Sequence, residues 1–365
     1  MDNKFYIKKV SILIFTISLL ISSIGCTSLP IINETDAHFE ESSSSNTNIF
    51  IDSAGRKNEL PKNIETVVPS GRVAQMMISM IAPEKLVSLA DLPKYIQKDI
   101  PRDLPITGQL YGGKGQINYE EIINKNPDII IDIGEMKKTI KEDLDEVQKT
   151  TNKPTIFIKA DLENTAKAFR VLGELLGEEE RAERLAKFTE EAISFAEEGK
   201  KDIKEKKKVY QTTSDDGLGA DLDGTAHTEI LNLIGAENAA ETEAQGGKPG
   251  QTVYMEQILE WNPDIVIANN RGLGDIVMND ERWKNVKAVQ DDAVYTVPQD
   301  PFSWVSKPPS ANRIIGIYWM AKTIYPEVYD IDLKMKTKEW YKLAYNYELT
   351  DEEYEVILNG DFIQQ

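Results

Sequence analysis

The feature that most constrains the fold is an internal repeat. Glu120-Glu121-Ile122-Ile123-Asn124-Lys125-Asn126-Pro127-Asp128-Ile129-Ile130-Ile131 matches Glu256-Gln257-Ile258-Leu259-Glu260-Trp261-Asn262-Pro263-Asp264-Ile265-Val266-Ile267 at a constant offset of 136 residues. Each copy follows a Gly-Gln pair, Gly115-Gln116 and Gly250-Gln251. Each reads as a short helix, stopped at Asn-Pro-Asp because proline disfavours helical geometry in the residue before it, and then an apolar β-branched strand. A strand without polar alternation is buried on both faces, as in a parallel sheet covered by helices. Two such units in 365 residues predict two α/β lobes of similar plan.

The segments before each unit correspond as well. Thr66-Val67-Val68 leads through Ser70-Gly71 into a helix ending near Ile81, then Leu86-Val87-Ser88-Leu89. Lys208-Val209-Tyr210 leads through a Gly-rich loop into a helix from Glu229 to Ile234. Thr155 to Ile158 and Ala293 to Val297 are further runs of strand length. The expected lobes are residues 49–177 and 207–365, with helices packing onto the body after Pro326. Residues 178–206 are dense in Glu, Lys, Arg and Ala, with Leu185, Phe188, Ala192, Phe195 and Ile203 forming a partial helical stripe. No proline interrupts them, and Gly199 costs only about 1 kcal/mol in a helix. A helix over the whole segment would run roughly 43 Å, enough to cross from lobe to lobe. The alternative is a surface helix within one lobe.

The N-terminus carries a different signal. Lys4, Lys8 and Lys9 precede an apolar run from Val10 to Ile21, shorter than the ~20 residues of a membrane span. Residues 1–25 therefore read as a secretory signal, and Gly25 stands directly before Cys26, the sole cysteine. This arrangement resembles the lipobox of bacterial lipoproteins, although Ser23 replaces the usual leucine. The resemblance implies acylation of Cys26 and a chain held on the extracytoplasmic face of the cell membrane. Residues 26–48, with Ser42 to Ser45, read as a flexible tether. One cysteine excludes a disulfide framework and any multi-cysteine metal cluster. A net charge of −19, from 61 acidic against 42 basic residues, argues against a nucleic-acid partner.

With these units in place the chain resembles the periplasmic-type substrate-binding proteins of ABC importers for iron-siderophore and vitamin B12-class ligands. The likeness spans roughly Ile49 to Pro326. It rests on Asp52-Ser53-Ala54-Gly55-Arg56, the two helix–Asn-Pro-Asp–strand units, Glu229 to Asn238, and Lys307-Pro308-Pro309-Ser310-Ala311-Asn312-Arg313 with Gly316 and Trp319. It implies two α/β lobes with mainly parallel sheets joined by one long helix, a ligand held between them, and delivery to a permease and its ATPase. It also implies no catalysis and a monomer. In this family one acidic residue on each lobe pairs with permease arginines, and Glu120 and Glu256 occupy those places. The alternative is two ordinary solvated glutamates.

A cleft between open α/β sheets draws its residues from loops at the carboxyl ends of the strands. This nominates Arg72, Tyr111 and the loop Gly134 to Lys137 from the first lobe, and Asp215 to His227, Asn270, Arg271, Trp304 and Lys307 from the second. Arg72, Arg271 and Lys307 suit the oxygens of an anionic chelate. Tyr111 and Trp304 offer flat faces. His227 offers an imidazole to a metal complex, or else sits as a helix-entry residue bonded to backbone. Two of these cations have a second reading: Arg72 as a solvated helix residue and Arg271 as a partner of Asp275. Trp304 could equally be core, and Arg313 reads as a structural ion pair. Asp215, Asp216, Asp221 and Asp223 lack the spacing of a calcium loop and read as loop acids. No resident cofactor is expected, the cargo being a ferric chelate, with haem or cobalamin as alternatives. A two-lobed surface enzyme such as a chelatase is the competing class, but no G-x-S-x-G elbow, P-loop or dinucleotide fingerprint is present.

Overall fold

The computed structural model describes residues 35–40, 47–111, 116–240 and 250–363. Cys26 and the N-terminal signal lie outside the described residues. The first described elements are strands β1 (His38–Glu40), β2 (Thr47–Ile51) and β3 (Lys57–Pro61), which form an antiparallel sheet in the order β1-β2-β3. Strand β1 corrects the expectation that residues 26–48 are tether throughout. Phe39 stands opposite Phe50, ring edge to face at 5.1 Å, and this apolar pair gives the segment a reason to order.

Next come β4 (Val67–Pro69), α1 (Arg72–Ile81), α2 (Tyr119–Lys125), β5 (Ile129–Gly134), α3 (Ile140–Thr151), β6 (Thr155–Lys159) and α4 (Thr165–Leu176). Strands β4, β5 and β6 pair in parallel, in that order. Leu86 to Leu89 adds only single parallel bridges, Leu86 to Val67 and Leu89 to Ile106. Helix α5 (Glu179–Lys200) leads to the second half. That half contains β7 (Lys208–Thr212), β8 (Gly219–Ala220), α6 (Glu229–Leu233), β9 (Glu237–Asn238), β10 (Gln251–Thr252), α7 (Met255–Trp261), β11 (Ile265–Ala268), α8 (Leu273–Asn279), α9 (Lys287–Gln290) and β12 (Val294–Thr296). Its sheet runs β10-β8-β7-β11-β12, with β7, β11 and β12 parallel, β9 also parallel to β7, and β8 and β10 antiparallel. Helices α10 (Arg313–Ile324), α11 (Leu333–Tyr345) and α12 (Asp351–Leu358) close the chain. The fold is the expected α/β class with two mainly parallel sheets.

The repeat is built as its sequence predicts. Asn126 and Asn262 end α2 and α7 in the left-handed conformation, with φ of 49° and 43°. Asp128 then accepts hydrogen bonds from the Glu65 and Thr66 amides, each at 2.9 Å, and Asp264 accepts from the Lys208 amide at 2.9 Å. Each Asn-Pro-Asp therefore stops a helix and fastens the start of the neighbouring strand, β4 or β7. Strands β5 and β11 follow, almost wholly buried and each flanked by a strand on both sides.

Helix α5 is 22 residues long, shorter than residues 178–206 would give. At 1.5 Å per residue it spans about 33 Å. Its first half packs along α4, and its second half reaches Tyr318 and Tyr329, whose rings lie 5.1 and 5.2 Å from that of Phe195. Gly199 is where the Tyr329 ring seats: a Cβ there would meet its nearest ring carbon at 2.1 Å. Tyr329 in turn donates to the Ala196 and Ile234 carbonyls, tying α5 to the end of α6. Helix α11 packs against α1, α5 and α10, so the terminal helices bind both halves rather than the second alone. One hydrophobic core runs through both, from Val67 and Ile131 to Ile267 and Ile315. Among the described residues no helix is long and apolar enough to cross a membrane.

Candidate functional site

The carboxyl ends of the two parallel sheets open onto a shared cleft. A cavity of about 380 Å³ is lined by Glu135 and Met136 after β5, by Lys159 and Asp161 at the end of β6, and by Gly224 to Ala226 with Glu229 from the second half. A second space of about 650 Å³ shares Asp161, Glu229 and Asn232 with it and is backed by Ile193, Glu197 and Lys200 of α5. The helix that joins the halves thus forms the rear wall of the space between them.

The wall from the second half is organised by Asp221, which is fully buried rather than a solvated loop acid. Its Oδ2 accepts from Gln211 Nε2 and Asn269 Nδ2, both at 3.0 Å, and its Oδ1 accepts from the Gly250 amide at 3.1 Å. Those donors come from β7, from the residue after β11, and from the loop before β10, so one carboxylate gathers three segments. Burial raises the Asp221 carboxyl above the ordinary range. The Oε1 of Gln211 and the Oδ1 of Asn269 are buried without a partner.

His227 lies on the same wall. Burial lowers its imidazole, opposed by nearby Asp221 and reinforced by Arg313 and Lys307, and its Nδ1 has no hydrogen-bond partner. Lys307 donates to the Thr213 carbonyl at 2.7 Å and to Asn270 Oδ1 at 2.6 Å. Desolvation pulls its ammonium down, and Asp221 and Asp215 pull it back up. Arg313, at the first turn of α10, is almost fully buried; it donates to the Ala226 carbonyl at 3.1 Å and pairs with Glu229. That is the structural ion pair expected from the sequence. It holds the loop bearing His227 against α10.

In the first half one buried acid stands out beside the nominated residues. Asp132, on β5, is buried; the Ser70 hydroxyl donates to its Oδ1, and its Oδ2 has no partner. Burial raises its carboxyl. The signal available in the sequence was a lone acid inside the run from Ile129 to Ile133. Next to it, the Lys137 ammonium sits 3.6 Å above the centre of the Tyr111 ring, and the Tyr111 hydroxyl donates to Asp143 at 2.6 Å. Burial, then that bond to Asp143, raises the phenol. Burial raises the Glu135 carboxyl, opposed by Arg313 of the second half.

The remaining nominated residues are otherwise engaged. Arg72 pairs with Asp91 at 2.9 Å, half exposed. Arg271 pairs with Asp361 at 2.7 Å, not with Asp275, and stacks over Phe362. Trp304 is fully buried, its ring 6.5 Å from that of Tyr341 and its Nε1 donating to the Asp300 carbonyl. It is a core residue with no exposed surface, and Gly316 of α10 packs directly on its carbonyl. Of the nominated segments, Met136 and Gly224 to Ala226 line the cavity, His227 follows Ala226, and Tyr111 packs under Lys137, while Arg72, Arg271 and Trp304 are engaged elsewhere. Glu120 and Glu256 are exposed on α2 and α7.

Comparison with known proteins agrees with this architecture. The periplasmic binding protein family matches residues 67–301. The chain is 24% identical over 322 residues to the molybdate-binding protein MolA of Haemophilus influenzae, covering 81% of this chain and 90% of that one. It is 27% identical over 199 residues to the Fe(3+)-citrate-binding protein YfmC of Bacillus subtilis, covering 53% and 60%. Among solved structures, an ABC transporter solute-binding protein from Sulfurospirillum deleyianum superposes with a TM-score of 0.78 at 28% identity, over 85% of this chain and 98% of that one. Two α/β halves, a joining helix, a cleft at the strand ends and a match over most of the chain lead to one assignment: the protein belongs to the periplasmic binding protein family, as a substrate-binding protein of an ABC importer.

Proposed function

We propose that this protein is the lipid-anchored receptor of its importer, capturing an iron-siderophore or related metal chelate between its halves on the extracytoplasmic side of the membrane. The observation that carries the reading is the cleft itself. Glu135, Met136, Lys159 and Asp161 line it from one half and Gly224 to Ala226 with Glu229 from the other, and Arg313 fastens the second loop. Lys137, next to Met136 in that lining, and Lys307 of the second half are proposed to supply positive charge to the cargo, with His227 beside Ala226 as a polar neighbour. The likeness to a ferric-citrate-binding protein supports a chelate. Because Arg72 and Arg271 are spent on ion pairs, a compact, modestly charged complex fits better than a tris-catecholate. A small oxyanion is the second reading, favoured by the molybdate-binding relative that covers most of the chain. Cobalamin, which favours aromatic walls, loses support with Trp304 buried.

Glu120 and Glu256 are proposed to face the permease, where exposed charges steer and orient association. Cys26 is proposed as the lipid attachment point, and no turnover is expected. Isothermal titration against ferric citrate, ferric siderophores, molybdate and nickel–histidine separates the cargo readings. One saturable partner among the chelates supports the first, molybdate alone supports the second, and chemical conversion of a ligand would refute the receptor role.

A further inference from the structure

The two repeat helices present more than a pair of carboxylates. In the first copy Glu120 is exposed, Glu121 partly buried, Ile122 buried, and Ile123 and Asn124 exposed. In the second copy Glu256, Gln257, Ile258, Leu259 and Glu260 repeat that pattern position by position. The buried Ile122 and Ile258 explain how each helix seats on its sheet, in clusters with Val68 and Ile130 and with Tyr210 and Val266. Ile123 and Leu259 have no such role: they are 46% and 38% exposed, among the large apolar side chains most open to solvent. Residues three apart on a helix share a face, so each aliphatic stands one turn along from its glutamate. Neither glutamate makes an ion pair or hydrogen bond within the described residues. Isolated surface leucines and isoleucines need no explanation; the same exposed pair at equivalent places in both halves does.

From this repetition we infer that each half docks through a two-part knob, Glu120 with Ile123 and Glu256 with Leu259. The occupant is a membrane permease built from two equivalent halves, each offering a basic side chain beside an apolar depression. The carboxylate supplies orientation and the aliphatic supplies desolvated contact area, which carries most of the strength of such interfaces. This rests on the docking role proposed for Glu120 and Glu256, and assigns two further residues to it.

The test uses the full chain and its cognate permease–ATPase complex in nanodiscs, reading the concentration of binding protein that half-stimulates ATP hydrolysis. The Ile123→Ser/Leu259→Ser double variant is expected to need roughly 20-fold more protein, from the remaining apolar surface of two side chains. Its thermal midpoint should match that of the wild type, and Ile123→Leu/Leu259→Met should restore wild-type stimulation. If the serine variant stimulates like wild type while Glu120→Arg/Glu256→Arg abolishes stimulation, the apolar half of the knob is refuted and charge docking stands. If the charge reversals also stimulate like wild type, the docking role falls and this inference with it.

Discussion

Arg313→Ala is the perturbation whose size the structure sets most closely. Arg313 is 1% exposed, donates to the Ala226 carbonyl at 3.1 Å and pairs with Glu229 across the contact between α10 and α6. Removing one partner of a buried pair costs about 3–5 kcal/mol when the other charge is stranded. Glu229 keeps 34% of its side chain in solvent, so its carboxylate regains part of its hydration. The expected cost is therefore about 2–3 kcal/mol, packing of the lost side chain included. The core is continuous through both halves, so unfolding in urea should be a single transition. With a slope of roughly 3 kcal/mol per molar, the midpoint should fall by about 0.7–1 M. Adding Glu229→Gln should recover about a third of the loss, because no bare carboxylate remains to be accommodated. A midpoint shift under about 0.2 M, or a double variant less stable than the single, would refute the view that this pair fastens the His227 loop to α10.

Other perturbations follow from the same structure. Gly316→Ala should be severe, about 3 kcal/mol or roughly 6–10 °C in melting temperature, because the new Cβ would lie 1.8 Å from the Trp304 carbonyl oxygen, a backbone atom that cannot swing aside; a calorimetric scan checks it. Burial raises the Asp132 carboxyl above its usual 3.8, so the unfolded chain loses that proton first and this group's contribution to stability falls as pH rises from about 4; Asp132→Asn should remove that slope and raise the melting temperature at neutral pH. His227 behaves oppositely: burial holds its imidazole below 6.5, so on acidification the unfolded chain takes up the proton first and stability is lost as pH falls beneath that value. His227→Gln should flatten the melting-temperature profile on the acid side, read as the difference between the two proteins.

How much of this was legible beforehand depended on whether the signal was local. The helix–Asn-Pro-Asp–strand units were readable because proline, a left-handed asparagine and an apolar run act within a few residues, and both copies form as expected. The ends of α5 were not readable, since Glu, Lys and Ala favour helix equally inside and beyond it; the helix stops at Lys200, where Ile203 instead turns against Gly235. Residues 38–40 order through a contact between two phenylalanines that a Ser-rich flank concealed. The site was half legible. The loops Gly134 to Lys137 and Asp215 to His227 supply residues lining the cavity because they follow the ends of β5 and β7, which a sequence marks. Arg72, Arg271 and Trp304 also follow strand ends, but their fates are set by Asp91, Asp361 and Tyr341, from 19 to 90 positions away, which it does not mark. Asp221 looked like one of four loop acids and proves to be the buried centre that draws three segments together.

The proposed function is capture of one cargo in a cleft, and isothermal titration of the purified chain probes that directly. It predicts saturable one-to-one binding of a single metal complex or oxyanion, weakened roughly tenfold or more by Lys307→Ala combined with His227→Ala. Full affinity retained in that double variant, or no saturable binding across ferric citrate, ferric siderophores, molybdate and nickel–histidine, would contradict it.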